Sequence, residues 1–292
     1  MRFRVFLSLA LCCAGAHSAP TAIDSSGRTL TLRAPAQRIV SLAPHVTELL
    51  YAAGAGAQLV GVSEYSDFPP EARALPRVAG SAGIELERVL ALRPDLVVAW
   101  RFESNRAGLD RLEKLGVPVF HSEPRRLAQI AEQIEALGRL AGTEAAAAPA
   151  AARLQAGLAA LQARYAGRAP LRVFYQIGDK PLMTLNGEHM VSAVLALCGA
   201  SNVFAQAAGI ASVVSLEAVA AADPDVIATG RTGGVDTAWQ AAWKQRLPSL
   251  RAVREARFAT ADADRLHRQG PRILAGAEAL CAQLDRLRDR TR

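Results

Sequence analysis

The chain has 292 residues, 51% of them hydrophobic and 21% charged, with a formal net charge of +7. Its apolar content excludes wholesale disorder, and its length fits one large or two medium domains. The basic balance does not indicate nucleic acid: lysine occurs only at Lys114, Lys180 and Lys244, and the arginines are scattered through an alanine-rich chain without a basic stripe, the pattern of a coding bias.

Residues 1–18 read as a signal peptide. Arg2 and Arg4 form a charged leader, Val5–Ala14 a short apolar core, and Ala16-His17-Ser18 a cleavage site. The core is too short to span a bilayer, which takes ~20 residues. Export places the mature chain in the periplasm, and cleavage removes Cys12 and Cys13. Cys198 and Cys281 remain, as a candidate disulfide or as two free thiols.

From Ile23 to Leu32, alternation around a Ser-Gly turn predicts a hairpin. Short β-type runs then alternate with helical patterns. The strands are predicted at 38–43, 59–64, 95–100 and 118–122, and the helices near 45–53, 85–92, 105–115 and 127–141. This is the βαβ rhythm of a parallel sheet. Thr143 to Tyr165, rich in Ala, Leu, Gln and Arg, predicts one long helix of roughly 35 Å, with Pro149 awkward near its start. The rhythm then resumes, with strands at 172–177, 225–229 and 257–261 and helices at 187–197, 216–222 and 270–286.

An internal repeat supports a lobe, helix, lobe organisation. Leu86-Glu87-Arg88-Val89 through Pro94-Asp95-Leu96-Val97 stands 130 residues before Leu216-Glu217-Ala218-Val219 through Pro224-Asp225-Val226-Ile227. Each copy reads as a short helix, a Pro-Asp turn and a buried strand.

No H-E-x-x-H, G-x-S-x-G or phosphate-cradling glycine motif occurs, and no two histidines stand at metal-ligand spacing. Open α/β proteins bind ligands beyond the carboxyl ends of their strands. Those ends supply Pro44 and His45, then Tyr65 to Pro70, then Trp100-Arg101. The second half adds Gly178 to Met183, Thr229-Gly230 and Asp264 to Arg268, a segment that includes His267. Aromatics are scarce in this chain, so Tyr65 and Trp100 at strand ends are either ligand walls or ordinary core packing. Asp264 and Arg268 are suited to polar ligand groups, or to pairing with each other at i,i+4.

In this order and spacing the sequence resembles the periplasmic substrate-binding proteins of the helical-backbone type, which serve ABC importers of siderophores, haem and vitamin B12. It is most similar to the cobalamin-binding members. The supporting stretches are Ser41 to Leu49, Val62 to Pro70, Leu86 to Arg101, Arg172 to Gly178, the helix through Cys198-Gly199, and Asp264 through Pro271-Arg272-Ile273 to Cys281. The resemblance implies an α/β fold of two Rossmann-like lobes with parallel-type sheets. One long helix joins them and a ligand cleft lies between. The expected division is a leader at 1–18, lobes at 19–142 and 167–292, and the helix at 143–166.

The same resemblance implies a monomeric, non-catalytic receptor with no covalent cofactor and no resident metal. Cobalamin or a related corrinoid would be its ligand, and an ABC importer permease its partner. Tyr65, Trp100 and the Asp264–Arg268 segment match corrinoid-contacting positions, and Pro44 and Met183 complete the expected ligand set. Glu87 and Glu217 match the residues that meet permease arginines, although a glutamate in a first helical turn also favours the helix dipole. Cys198 and Cys281 match a disulfide pair. Other expected aromatic contacts are replaced here by Ser81, Ile177, Met183 and Ala211. Two alternatives stand beside this reading. One is the same architecture carrying haem or a ferric siderophore, with Tyr65 or His45 as an iron ligand. The other is an exported metal-dependent enzyme.

Overall fold

The computed structural model describes residues 19–231 and 237–289. The expected signal peptide lies outside the described residues. The first lobe contains β1 (Thr21–Ile23), β2 (Thr29–Thr31), β3 (Ile39–Ser41), α1 (Pro44–Ala52), β4 (Leu59–Ser63), β5 (Arg77–Gly80), β6 (Gly83–Ile84), α2 (Leu86–Ala91), β7 (Leu96–Ala99), α3 (Glu103–Lys114), β8 (Val119–His121) and α4 (Leu127–Ala141). The long helix α5 (Glu144–Tyr165) follows. The second lobe contains β9 (Leu171–Asp179), β10 (Leu182–Leu185), α6 (Met190–Leu197), β11 (Ala200–Asn202), β12 (Ala211–Val213), α7 (Leu216–Ala222) and β13 (Val226–Arg231). It ends with α8 (Thr237–Arg246), α9 (Arg251–Arg254), β14 (Phe258–Asp262), α10 (Ala263–Leu266) and α11 (Ile273–Asp289).

The hairpin forms as the sequence predicts, with Thr21 opposite Thr31. Its turn is set by Asp24, whose carboxylate accepts the backbone N–H groups of Ser26 and Arg28 at 2.9 and 3.0 Å. Each lobe is built on a six-stranded sheet. The first has the order β6-β5-β4-β3-β7-β8 and is parallel except for its edge strand β6. The second has the order β12-β10-β9-β13-β14, with β11 also pairing with β9. It is more mixed than the rhythm suggested, because β10 runs antiparallel to both of its neighbours, β9 and β12. Among the described residues, no helix is long and apolar enough to cross a membrane.

Residues along the central strands alternate between two apolar layers, as the two-residue period of a strand requires. Ile39, Leu96 and Val98 face one core that continues into the second lobe through Val173, Tyr175, Val226 and Ala228. Val40 and Val97 face an outer layer in the first lobe, and Phe174 and Ile227 face another in the second. The continuous core is bridged by α5. Its buried residues Ala147, Ala151, Leu154, Leu158, Leu161 and Tyr165 recur at spacings of four and three, one stripe of a helix. The helix runs from Glu144 with Pro149 inside it. Against α4 it packs so closely that a Cβ at Gly138 would stand 2.3 Å from that of Ala147. The lobes therefore share a hydrophobic core as well as a connecting helix.

The repeat has a structural purpose. The Asp95 carboxylate accepts the N–H groups of Gln37 and Arg38 at 2.8 and 2.9 Å, and Asp225 accepts that of Arg172 at 2.7 Å. Each aspartate thus ties the start of its own strand to the start of the neighbouring one, β3 or β9. Before each Pro-Asp pair the chain passes through left-handed backbone, at Arg93 (φ 46°) and Asp223 (φ 36°), which ends the short helix and turns it into the strand. Cys198 at the end of α6 and Cys281 on α11 form a disulfide, with Cα atoms 4.8 Å apart.

Candidate functional site

The carboxyl ends of β3, β4 and β7 converge on one cavity of about 250 Å³ in the first lobe, walled by Leu42, Pro44, Tyr65, Ile84, Trp100 and Phe102. Pro44 opens α1, where its missing N–H costs nothing. Tyr65 follows β4 in left-handed backbone (φ 61°) and is 74% exposed. A bulky residue in that region is strained, and such strain persists only where the surroundings enforce it. Here they do. Buried hydroxyls form a chain from Ser41 to Thr47 (2.8 Å), to Ser66 (3.0 Å) and to Ser63 (3.1 Å). Arg77 donates to the carbonyls of Ser63 and Ser66 at 3.2 and 2.8 Å. Tyr65 is therefore no core residue; its ring is held out at the mouth of the cavity.

Trp100 is half-buried. Its ring meets His45 edge-on at 5.8 Å and Phe102 at 5.2 Å. Asn105 fixes the backbone here, donating to the Trp100 carbonyl (2.7 Å) and accepting the Phe102 N–H (3.0 Å). Phe102, 41% exposed, is a third aromatic at this wall that the sequence reading passed over. Its place two residues past a strand end, in a chain poor in aromatics, is the signal that would have found it.

A second cavity, about 350 Å³, lies between the lobes. Trp100, Pro124 and Arg125 line it from one side, and His189, Ile210 and His267 from the other. His189 caps α6 by accepting the Val191 N–H at Nδ1 (3.1 Å), and His267 Nε2 lies 3.0 Å from the Tyr175 hydroxyl. Burial lowers the His45 pKa to about 4; for His189, burial and then the neighbouring His267 do the same, and burial also depresses that of His267. These imidazoles are neutral at pH 7. A third cavity, about 290 Å³, sits at the carboxyl ends of β9 and β13 and is lined by Gln176, Asp179, Thr229 and Trp239.

Of the positions where the resemblance leads one to expect aromatics, Ser81 falls beside Tyr65, Ala211 between the lobes, and Ile177 in the second-lobe cavity. Met183 lies on β10 opposite Gly178, outside these three cavities. Asp264 and Arg268 do pair, at 3.1 Å. Arg268 also reaches the first lobe, at 2.8 Å from Asp67 and 3.5 Å from Glu48. Opposed by desolvation, the hydrogen bond and charge of Arg268 still hold the Asp67 carboxyl below its ordinary range. Arg272 grips Glu48 with two bonds, 3.0 and 2.6 Å, and stacks over the Phe68 ring at 4.2 Å. Asp67 belongs to the Tyr65–Pro70 segment that the sequence offers as a strand-end ligand position, whereas Glu48 and Arg272 carry no site role in the sequence reading. Glu87 and Glu217 stand exposed in the first turns of α2 and α7, in no ion pair among the described residues. The Glu217 carboxyl is held below its usual range by hydrogen bonds from its own backbone and from Ser215.

A family model described as periplasmic binding protein matches residues 39–264. A protein named vitamin B12-binding protein from Vibrio cholerae serotype O1 is 40% identical over 254 residues, covering 86% of this chain and 90% of that one. The solved structure of the periplasmic vitamin B12 binding protein BtuF of Vibrio cholerae superposes with a TM-score of 0.79 at 38% identity, covering 87% of this chain and 98% of that one. The apo periplasmic haem-binding protein RhuT of Roseiflexus sp. RS-1 superposes at 0.74 with 25% identity, covering 86% and 99%.

Proposed function

Because the chain belongs to the periplasmic binding protein family, we propose that it captures cobalamin or a related corrinoid between its lobes and delivers it to an ABC importer. The observation that carries this reading is the wall of Tyr65, Trp100 and Phe102 at the cleft of a chain 40% identical to a vitamin B12-binding protein. A corrin is a broad flat ring edged with amides. Aromatic faces cover its apolar parts at small entropic cost, and Asp264 and Arg268 present an acceptor and donors suited to amides. The protein binds and releases its ligand and catalyses no reaction. The leader at 1–18 directs it to the periplasm, where the Cys198–Cys281 disulfide persists. Glu87 and Glu217, one on each lobe, offer paired carboxylates to arginines of a two-fold permease.

Haem is the competing ligand, since a haem-binding relative shares the fold. The cleft imidazoles favour it less than their number suggests. His189 accepts a backbone N–H at Nδ1, which leaves its proton on Nε2, and His267 Nε2 is engaged with Tyr175. Calorimetric titration with cyanocobalamin and cobinamide, beside an absorbance titration with haem, tests the reading. Saturable one-to-one binding of the corrinoids is expected; a haem Soret shift with no corrinoid heat would overturn it.

A further inference from the structure

We propose that Glu48 is a positioning residue of the ligand site, holding the rims of both lobes at a fixed spacing before ligand arrives; this rests on the corrinoid reading above. Glu48 lies on α1 of the first lobe and is 2% exposed. A buried carboxylate is tolerated only when paired and hydrogen-bonded. Both of its partners come from the other lobe, more than 200 residues away in sequence. Arg272 makes the two-pronged contact and Arg268 the longer one.

The arginines that Glu48 holds are themselves bound to the site. Arg268 joins Asp67, two residues past Tyr65, to Asp264 on the opposite rim. Arg272 stacks on Phe68 in the same loop as Tyr65. One buried charge thus organises the loop that presents Tyr65 and the segment that presents Asp264. The backbone is fitted to it: a Cβ at Gly270 would stand 2.9 Å from Glu48 Oε2, so residues 268–272 lie directly against that carboxylate. The cluster of Glu48, Asp67, Asp264, Arg268 and Arg272 is a cross-lobe clamp at one edge of the cleft. Glu48 does not line the cleft cavities described above; it acts through the arginines.

Glu48→Gln keeps the shape and removes the charge. Its dissociation constant for cyanocobalamin is expected to rise roughly 10-fold or more, mainly through faster release, as when one partner of a buried charge pair is lost. Asp67→Asn, at a side chain 45% exposed, breaks the next link without burying a new group and is expected to weaken binding less. In the Glu48→Gln background Asp67→Asn should add little, because the link it breaks has already lost its anchor. A folded Glu48→Gln protein that melts earlier but binds cyanocobalamin as tightly as wild type would overturn the proposal and leave Glu48 a purely structural residue. Should that variant not fold, Arg272→Lys, which keeps charge and loses the fork, takes its place, and an unchanged dissociation constant there overturns the proposal equally. Failure of the wild-type protein itself to bind cyanocobalamin would overturn both this proposal and the corrinoid reading.

Discussion

Tyr65 combines two properties that stability alone does not explain: its backbone is left-handed and its ring is largely in solvent. Left-handed backbone costs a residue with a Cβ roughly 1–2 kcal/mol. Tyr65→Gly removes that strain, offset in part by about 0.4–1 kcal/mol of added freedom in the unfolded chain. Urea unfolding is therefore expected to show equal or slightly greater stability for this variant, while corrinoid affinity falls at least tenfold with the lost ring contact. A parallel loss of stability and affinity would mean that Tyr65 serves the fold. Gln176 shows the opposite balance. Its buried amide oxygen accepts the indole N–H groups of Trp239 (2.7 Å) and Trp243 (2.8 Å), both on α8. Gln176→Leu strands two buried donors, so a loss of about 2–4 kcal/mol in urea unfolding is expected. A loss below about 0.5 kcal/mol would mean that α8 is attached by its apolar contacts alone.

At the scale of elements, the repeat was legible because one short stretch encodes a whole unit. The helix buries Val89 or Val219, a left-handed residue ends it, and Pro-Asp starts the strand. The same regularity sets Glu87 and Glu217 at corresponding exposed positions of α2 and α7. Replacing both by Arg is expected to leave corrinoid affinity unchanged, to lower the melting temperature slightly through the helix dipoles, and to abolish uptake in cells. Unchanged uptake would reduce the two glutamates to helix-dipole residues. Other elements were not legible, for identifiable reasons. The edge strands β6 and β12 and the inner strand β10 have two to four residues, too few for a period to show, and β10 is bulged at Met183. Helix α8 lacks a clear apolar stripe; its place is fixed by the hydrogen bonds to Gln176 and by the Arg246–Asp179 pair, all at long range. In the site, Tyr65 and Trp100 were visible because aromatics are rare and strand ends are known ligand positions. Glu48 was not. A glutamate on a helix reads as surface until its partners are known, and Arg272 is 224 residues distant.

The whole molecule is two lobes closed on one core, pinned by α5 and by the Glu48 cluster, with three imidazoles near the cleft. Shared core and cross-lobe ion pairs resist a wide swing, so small-angle scattering is expected to show little compaction when cyanocobalamin is added; a large decrease in radius of gyration would show that the lobes stand apart, with the clamp unmade, until ligand binds. The imidazoles add a pH dependence whose direction is fixed. His45 and His189 have pKa values lowered from 6.5 to about 4 by burial, and His267 is lowered too. In the unfolded chain they protonate first as the pH falls, so the unfolded state gains stability relative to the folded one. Above the unfolded value of 6.5 both states are neutral and the term vanishes; between there and about 4 it grows steadily. At pH 5 linkage gives about 2 kcal/mol of destabilisation for each of His45 and His189. Carboxylates held low by arginine, such as Asp67 and Asp179, lose their contribution only in a lower window, as the pH drops through the acid range below their unfolded value of 3.8. Urea unfolding at pH 7 and pH 5 therefore isolates the histidines, with a fall of about 4 kcal/mol expected from these two. A His189→Gln variant should lose about 2 kcal/mol less between the same two pH values, and an equal fall in that variant would place the proton uptake elsewhere.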